Sequence, residues 1–267
     1  MNKLKAFSDS KLIFIIPGTF LLALFLLPLF ALLVRSINED FFHYAISEQA
    51  FQALRLSLVT STITTVVAMT FGTPLAYMLA RWRFRAKSWI ELLIDLPIVL
   101  PPSVAGLALL VAFGRRGLFG STLNVIGITL PFTTTAVVLA QTFVAAPLYV
   151  RSARIGFSEI DKQLEEAAQV EGANQWQLFW EVMFPLARRA LLSGAILTWT
   201  RALGEFGATI LFAGNLEGVT QTMPMAIYLG FESNLGVALA LSVMLIGVSA
   251  LLIGLTRKLE KDGEQAQ

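Results

Sequence analysis

A polar stretch interrupts an otherwise apolar chain at residues 158–189, SEIDKQLEEAAQVEGANQWQLFWEVMFPLARR. It carries six acidic residues, three basic residues and one glycine, and it lies between two of the most apolar segments of the sequence. A flexible linker would be rich in Gly and Ser, and an independently folded domain would be longer. The stretch is therefore a short, ordered insertion whose role depends on the segments that flank it.

The composition places those flanking segments in a lipid bilayer. Hydrophobic residues make up 56% and charged residues 14% of the 267 residues, against about 45–50% and about 25% in an ordinary globular domain. The chain has no Cys and a single His, His43, so it offers no disulfide framework, no Cys nucleophile and no His-paired catalytic site. No metal site is expected. The basic residues are scattered between apolar runs, which argues against a nucleic-acid partner.

Six apolar runs are long enough to be membrane spans. The first, residues 12–34, has 23 residues without a charge and would extend about 35 Å as a helix, enough to cross a hydrocarbon core of about 30 Å. Three lysines precede it, as in a signal peptide, but the run exceeds the roughly 7–15 residues of a signal-peptide core and no A-x-A-like site follows. We expect a retained span. The other predicted spans are residues 56–80, 90–113, 134–150, 190–213 and 235–256.

The distribution of Lys and Arg predicts the orientation of these spans. Cytoplasmic loops of membrane proteins carry an excess of both residues. If the N-terminus is cytoplasmic, fifteen of the twenty Lys and Arg residues lie inside and only four lie outside, namely Arg35, Arg55, Arg115 and Arg116. Arg201 falls within the fifth run. Six spans then return the C-terminus to the cytoplasm, and residues 158–189 lie in a cytoplasmic loop between the fourth and fifth spans.

Local capping signals predict two short helices within this loop. Ser158 is a suitable N-cap, and Glu159 and Asp161 lie in the first turn, where the helix dipole favours negative charge. This helix would end at Gly172, a residue type that accepts the left-handed conformation. Asn174, with Gln177 three residues later, can form a capping box for a second helix.

The second helix is predicted to carry one apolar face before the chain returns to the membrane. Four large apolar residues recur at i, i+3, i+4 and i+7, which is the helical period; they are Trp176, Phe179, Trp180 and Met183. Pro185 marks the return. The face suits docking on another protein, and the alternative is a capped amphipathic loop that lies on the membrane surface.

The spacing within the loop resembles the EAA motif of ABC-importer permeases. The motif is written EAA, three residues, G, nine residues and I-x-L-P; here Glu166, Ala167 and Ala168 are followed by Gly172 and by 182-VMFP-185. Val182 and Phe184 replace Ile and Leu, apolar for apolar. The resemblance implies that the loop forms a coupling helix that inserts into a groove of a separate ATP-binding subunit. The residues expected to couple the two proteins are Glu165, Glu166, Ala167, Ala168, Gly172, Trp176, Phe179 and Pro185.

Two further stretches are similar to permeases of the molybdate, tungstate and sulfate group. They are 96-LPIVLPPSVAGLALLVAFGRRGLFG-120 and 200-TRALGEFGATILFAGNLEGVTQTMPMAIY-228. With the loop, the resemblance covers about half of the chain, and FAGN…TQTMPMAIY favours molybdate or tungstate over sulfate. The resemblance implies a second copy of the chain, two ATP-binding cassette subunits and an extracytoplasmic oxyanion-binding protein. It also implies a prokaryotic inner-membrane location, with ATP and Mg²⁺ bound by the partner ATPase and no cofactor bound by this chain.

The sequence lacks the phosphate-binding motif that an ATPase would need. No G-x-x-x-x-G-K-[ST] occurs, so the chain cannot hold ATP phosphates as a P-loop does, and a non-catalytic subunit is expected. Pro97, Pro101 and Pro102 interrupt an apolar run, and irregular backbone at membrane depth is tolerated only inside protein or beside a cavity. They are predicted to line the translocation pathway, although a span that starts only after Pro102 is the alternative.

The remaining candidates for functional residues are charged residues within or next to the predicted spans. Arg201 and Glu205 are four residues apart and can pair on one helical face, as a pathway gate or as a structural pair. With Gly106 and Phe206, they complete the predicted pathway set. Arg115 and Arg116, in the sequence GRRG, could steer an oxyanion or dock the binding protein at the outer face, or simply extend to the headgroups.

Together these observations predict an all-α integral membrane protein with six transmembrane helices. Residues 1–267 form one permease domain, and residues 155–189 form its cytoplasmic coupling loop between helices 4 and 5. The predicted function is the permease subunit of an ATP-driven importer of oxyanions, most like molybdate. The alternatives are a sulfate or thiosulfate permease, an ion-coupled secondary transporter, which would want midplane acidic sites and inverted repeats, and a membrane-embedded transferase.

Overall fold

The computed structural model describes the backbone of residues 2–37 and 40–265 and the side chains of residues 13–37 and 40–254. Within these ranges every regular element is helical. The helices are α1 (Asn2–Ile37), α2 (Phe41–Ala45), α3 (Glu48–Arg81), α4 (Lys87–Val99), α5 (Pro102–Phe113), α6 (Gly120–Val125), α7 (Thr134–Glu159), α8 (Lys162–Val170), α9 (Gln175–Gln177), a π-helical segment (Leu178–Met183), α10 (Phe184–Leu203), α11 (Gly207–Ala213), α12 (Met223–Ser233) and α13 (Leu235–Gln265).

Four helical stretches are long and apolar enough to cross a membrane, namely Ile13–Ile37, Glu48–Arg81, Thr134–Glu159 and Leu235–Gly254. They overlap the predicted first, second, fourth and sixth spans. The third predicted span is not one straight helix. Its two halves, α4 and α5, are bent by 117°, so the described chain has up to five spans by length and composition if this bent pair is a single broken span.

Prolines explain the break between α4 and α5. Leu100 has an extended backbone (ψ 136°), because the residue before a proline is driven out of the helical region. Pro101 is extended as well, and Pro102 begins α5 at a position where a missing N–H removes no helical hydrogen bond. The break therefore falls where the sequence predicts irregular backbone, but the change of direction is much larger than a kink.

The fifth predicted span, residues 190–213, is wrong as a continuous helix. α10 begins earlier, at Phe184, and ends at Leu203, and α11 begins at Gly207. The backbone at Gly204 and Phe206 leaves the helical region. The cause lies in Glu205, whose side chain caps α11 and so stabilises a new helix start.

Small residues allow α3, α7 and α10 to pack closely at the centre of the molecule. A Cβ atom added at Gly72 in α3 would lie 2.8 Å from the Tyr149 ring of α7, and one at Gly156 in α7 would collide with Ala190 of α10. Side-chain hydrogen bonds join the same helices, including Thr73 to Tyr149 at 2.6 Å and Ser152 Oγ to the Ala190 carbonyl at 2.8 Å. Close backbone approach and interhelical hydrogen bonds are the usual means of holding membrane helices together.

Two smaller clusters complete the packing. α5 and α11 pack on the first half of α7, with Ala105, Leu109, Val137 and Phe212 buried between them. α12 and α13 pack on the first turns of α3, where the Met223 N–H donates to Ser57 Oγ at 2.7 Å. By contrast, almost all the described side chains of α1 are exposed, as expected of a helix that faces lipid or another chain.

Candidate functional site

The loop between α7 and α10 forms a compact two-helix segment, residues 160–183, which we call the coupling segment. α7 continues through Ser158 to Glu159, and Asp161, not Ser158, caps α8, because its Oδ1 accepts the Gln163 N–H at 3.0 Å. The predicted start at Ser158 is therefore wrong. Capping preference cannot separate the two residues. The fully buried Phe157 and the close packing of Gly156 on α10 hold the end of α7 helical past Ser158.

Gly172 ends α8 with positive φ, as predicted. Its φ is +93°, its N–H donates to the Gln169 carbonyl at 3.0 Å, and the Ala173 N–H donates to the Ala168 carbonyl at 3.0 Å. This pair of hydrogen bonds is the Schellman arrangement. No atom lies within 4 Å of the position that a Cβ would occupy, so backbone conformation, and not lack of space, requires glycine here.

The predicted capping box is present, and three of the four residues of the predicted apolar face lie together. The ring centroids of Trp176 and Trp180 are 5.6 Å apart and those of Phe179 and Trp180 are 5.1 Å apart, whereas Met183 is buried. Asn174 Oδ1 accepts the Gln177 N–H at 2.9 Å, and Gln177 Oε1 accepts the Asn174 N–H at 3.0 Å. The next residues are π-helical, and the i→i+5 bonding of a π-helix brings residues five apart onto one side. Leu178 and Met183 are therefore the buried pair, whereas Trp176 is 72% exposed and Trp180 is 44% exposed.

The coupling segment contacts the C-terminal ends of α3 and α7. Phe179 is half-buried, with its ring centroid 5.2 Å from that of Tyr77 and 6.1 Å from that of Phe157. Glu165 faces Arg81, with Nε and Oε2 3.5 Å apart. Of the predicted coupling residues, Glu165, Ala168 and Phe179 thus lie partly toward the protein, while Glu166, Ala167, Gly172 and Trp176 lie on the surface. Pro185 lies in the first turn of α10.

Two of the predicted pathway residues, Pro102 and Gly106, lie where α5 meets α11. A Cβ atom at Gly106 would lie 2.8 Å from the Ala208 carbonyl oxygen, and one at Gly207 would lie 2.6 Å from Pro102. The two helices therefore approach each other closely, next to the break that follows α10. Pro97 is buried in α4 and Pro101 precedes α5, so Pro102 and Gly106 are the members of the proline-rich stretch that contact this break.

Glu205 is 1% exposed and has both carboxylate oxygens satisfied. Oε2 lies 2.6 Å from Arg201 Nη1, and Oε1 accepts the Ala208 N–H at 2.9 Å. One carboxylate thus neutralises an arginine and caps α11. Arg201 keeps about a third of its side-chain surface exposed, so the pair presents its cationic partner, and not the acid, to the surroundings.

Phe206 lies beside Tyr228 of α12, with ring centroids 5.2 Å apart. Together with Leu32, Ile227 and Phe231 they line an apolar groove between α1, α12 and α13. The hydrogen bond to Glu232 raises the pKa of Tyr228 above its ordinary value of 10.0. None of the described residues that line the groove is charged.

Arg115 and Arg116 project from a tight turn at the end of α5. The turn is closed by hydrogen bonds from Gly117 N–H to the Gly114 carbonyl at 2.8 Å and from Leu118 N–H to the Val111 carbonyl at 2.9 Å. Both arginines are exposed. They lie at the opposite end of the molecule from the coupling segment, because α7 runs between the two regions for 26 residues.

Two ion pairs could not be predicted from the sequence because each joins helices that are far apart along the chain. Arg81 is paired with Glu165, and Arg154 of α7 is paired with Glu91 of α4. In the sequence Glu91 follows the basic residues 81–87 without an evident partner, and the structure pairs it with Arg154. In the sequence Arg81 is the first of four closely spaced basic residues, followed by Arg83, Arg85 and Lys87. Nothing in this basic cluster distinguishes Arg81 from the other three.

Residues 72–262 match the family of binding-protein-dependent transport system inner membrane components. The match covers more than half of the chain, so the chain belongs to this family of multi-pass membrane permeases. It is 42% identical over 227 residues to the molybdenum transport system permease protein ModB of Mycobacterium tuberculosis, which covers 85% of this chain and 86% of that protein.

Sulfate permeases are also similar. The probable sulfate transport system permease protein cysT of Chlorokybus atmophyticus is 36% identical over 217 residues, which is 80% of this chain and 76% of that protein. Among solved structures, a chain of a bacterial ABC transporter involved in alginate import superposes with a TM-score of 0.81 over 98% of this chain and 99% of that chain, at 16% identity. At that identity the likeness shows the fold alone.

Proposed function

We propose that this chain is the membrane permease subunit of an ATP-driven importer of molybdate. The observation that carries the proposal is the 42% identity to a molybdenum transport permease over 85% of the chain. The named sulfate permease is less similar and covers less of the chain, so sulfate is the weaker alternative. Tungstate, which has the same charge and tetrahedral shape as molybdate, is a second candidate cargo.

The chain crosses the bilayer six times in this proposal. The bent pair α4–α5 provides the third crossing and α10–α11 the fifth. α10 has 20 residues but carries Arg188, Arg189 and Arg201, which lowers its apolar character below that of a simple span. Both termini lie on the cytoplasmic side of a prokaryotic inner membrane. This orientation is supported by fifteen Lys and Arg residues on the inner side against four on the outer side.

The coupling segment is the surface that receives the ATP-binding subunit. Its surface-exposed residues, Glu166, Ala167, Val170 and Trp176, include both apolar and acidic groups on a short helical element with defined caps. The partner binds ATP and Mg²⁺ and hydrolyses the nucleotide, and this chain contributes no catalytic group. Two copies of the permease assemble with two ATP-binding subunits. All 267 residues belong to one permease domain, with residues 155–189 as its coupling loop.

The pathway passes the contact between α5 and α11, where the helix break, Gly106 and the Arg201–Glu205 pair meet. On the outer side, an extracytoplasmic binding protein delivers the oxyanion. The family description supports this dependence on a binding protein. Arg115 and Arg116 are two exposed guanidinium groups at that side, and they favour the arrival of a dianion or the docking of an acidic surface.

Reconstitution into proteoliposomes tests the proposal. The chain, its cognate ATP-binding subunit and its binding protein are combined, and uptake of molybdate, tungstate and sulfate is measured with and without ATP. We expect ATP-dependent molybdate uptake and no ATP hydrolysis by the purified permease alone. Uptake driven by an ion gradient without ATP, or ATPase activity in the contaminant-free chain, would contradict the proposal. Preference for sulfate would favour the alternative cargo.

A further inference from the structure

We infer that Arg81 is a positioning residue that fastens the coupling segment to the inner end of α3, so that a displacement of α8 moves α3. The inference rests on the proposed function, because it describes how a push from an ATPase would reach the membrane helices. It concerns a residue outside the coupling segment itself, at the end of a helix that begins on the opposite side of the molecule.

One guanidinium group joins three elements at this point. Arg81 is in the last turn of α3, its Nη2 donates to the Ile160 carbonyl at 2.8 Å, and its Nε lies 3.5 Å from Glu165 Oε2. Ile160 is the extended residue directly after α7, and Glu165 lies in α8. The Arg81 side chain is only 6% exposed, so water competes little for these contacts.

Packing alone would hold α8 weakly. None of its residues is buried, whereas α3 and α7 each bury twelve. A helix without a buried apolar face needs other contacts to keep a fixed position. The arginine contacts to Glu165 and Ile160 provide these, and the planar, multiply donating guanidinium suits a site with two acceptors in different directions.

A second contact of α3 supports the other half of the coupling segment. Tyr77 lies one helical turn before Arg81, and its ring centroid is 5.4 Å from that of Phe157 and 5.2 Å from that of Phe179. Residues four apart lie on the same helical face. The last turn of α3 therefore holds α8 through Arg81 and the π-helical segment through Tyr77, and the two halves cannot be shifted together without moving α3.

α3 can carry such a displacement across the molecule. It is one helix of 34 residues with Pro74 in its interior, which corresponds to roughly 51 Å. Along this length Thr64 bonds to Gln141 of α7 and Ser57 bonds to the first residue of α12. The same helix therefore contacts the coupling segment at one end and α12 near the other.

The chain offers a matched control for Arg81. Arg83 belongs to the same basic cluster and carries the same charge, but it is exposed. Arg81→Gln and Arg83→Gln change the net charge and the positive-inside bias equally. Only Arg81→Gln removes the contacts to Glu165 and Ile160. Arg81→Lys keeps the charge but lacks the planar guanidinium group that can donate to two acceptors. The exchange R81E/E165R restores the ion pair with the charges reversed.

A distance measurement tests the inference without any partner protein. The native chain contains no Cys, so spin labels can be placed at Thr70→Cys in α3 and Gln169→Cys in α8, both exposed positions, in the full chain in lipid nanodiscs. We expect a broader distribution of label-to-label distances in Arg81→Gln than in Arg83→Gln, which should match the parent. Equal widths in all three proteins would overturn the inference, because α8 would then be held without Arg81.

Transport stoichiometry supplies the functional readout. In proteoliposomes with the ATP-binding subunit, we expect Arg81→Gln to lower molybdate transported per ATP hydrolysed by about tenfold, within the usual range of coupling between sites. R81E/E165R should recover part of the loss, and Arg83→Gln should show none. A variant that only folds poorly would lose transport and hydrolysis in proportion, which would contradict a coupling role. If the parent itself shows no ATP-dependent transport, the proposed function is wrong. The distance measurement still tests whether Arg81 holds α8 against α3.

Discussion

Substitution of Gly172 is the most direct test of the geometry of the coupling segment. Its φ of +93° lies in a region that L-residues with a Cβ avoid, and the surrounding space is empty. Gly172→Ala therefore adds backbone strain and no steric collision, at a cost of about 1–2 kcal/mol. A cost of that size changes an equilibrium by about 5- to 30-fold. We expect the population of the native coupling geometry, and the affinity for the ATP-binding subunit, to fall by an amount in this range.

Gly172→Pro should act more strongly. Proline fixes φ near −65°, roughly 160° from the native angle, and it also removes the N–H that donates to the Gln169 carbonyl. The Schellman arrangement then cannot form, so we expect transport to be abolished while the protein remains in the membrane. The assay is co-purification of the ATP-binding subunit, followed by ATP-dependent molybdate uptake at matched amounts of permease.

Gly127 provides the control. It also has positive φ, at +76°, and empty space around the Cβ position, but it lies after α6, away from the coupling segment. Gly127→Ala carries a similar strain and should leave the affinity for the ATP-binding subunit unchanged. If Gly172→Ala and Gly172→Pro both bind and transport like the parent, the left-handed turn does not set the coupling geometry. If Gly127→Ala weakens binding equally, the effect reports general strain and not the docking surface.

Three further sets of substitutions address the docking helix, the outer face and the helix break. Glu166→Lys reverses a charge on the exposed docking surface and should abolish both co-purification and transport, since an unpaired charge in a protein interface costs about 2–5 kcal/mol; normal assembly would show that this surface is not buried. Replacing Arg115 and Arg116 by Gln should slow oxyanion uptake most at low salt, because added salt shortens the electrostatic screening length to about 8 Å at 0.15 M. If the variant takes up the oxyanion at the parent's rate at low salt, contact with lipid headgroups is the only role left for the two arginines. Glu205→Gln can still accept a backbone hydrogen bond but leaves Arg201 without its partner charge, whereas Glu205→Ala also loses a cap worth about 1 kcal/mol. The thermal stability of the protein in detergent should therefore fall from the parent to Glu205→Gln and again to Glu205→Ala. Equal stability of the two variants would refute the capping role.

Features of this chain that depend on neighbouring residues could be predicted from the sequence. The four helices long and apolar enough to cross a membrane follow from apolar length. The turn at Gly172 and the Asn174–Gln177 capping box follow from residue types at fixed spacing. The break at Pro101 and Pro102 follows from missing backbone donors. Each of these signals acts within about one helical turn or within one continuous run.

Features set by tertiary contacts could not be predicted. Ser158 and Asp161 are equally good caps, and the packing of Phe157 decides between them. The π-helical register of Leu178 and Met183 depends on burial against other helices, so a 3.6-residue period places Met183 on the exposed face with Trp176 and Trp180, although it is buried. The end of α10 depends on how Glu205 bonds to α11, and the partners of Arg81 and Glu91 lie 60 or more positions away. The contacts made by the predicted site residues could not be derived without the fold.

The pairing of Arg201 with Glu205 has a consequence for how long a cargo would remain inside the protein. A lone arginine in a low-dielectric passage would hold a dianion strongly, and a transporter must let its substrate leave as readily as it enters. With its charge balanced by a fully buried carboxylate, Arg201 can still donate hydrogen bonds to oxygen atoms without becoming an electrostatic trap. In the proposed pathway, the pair would therefore favour short residence and rapid release over storage of the anion.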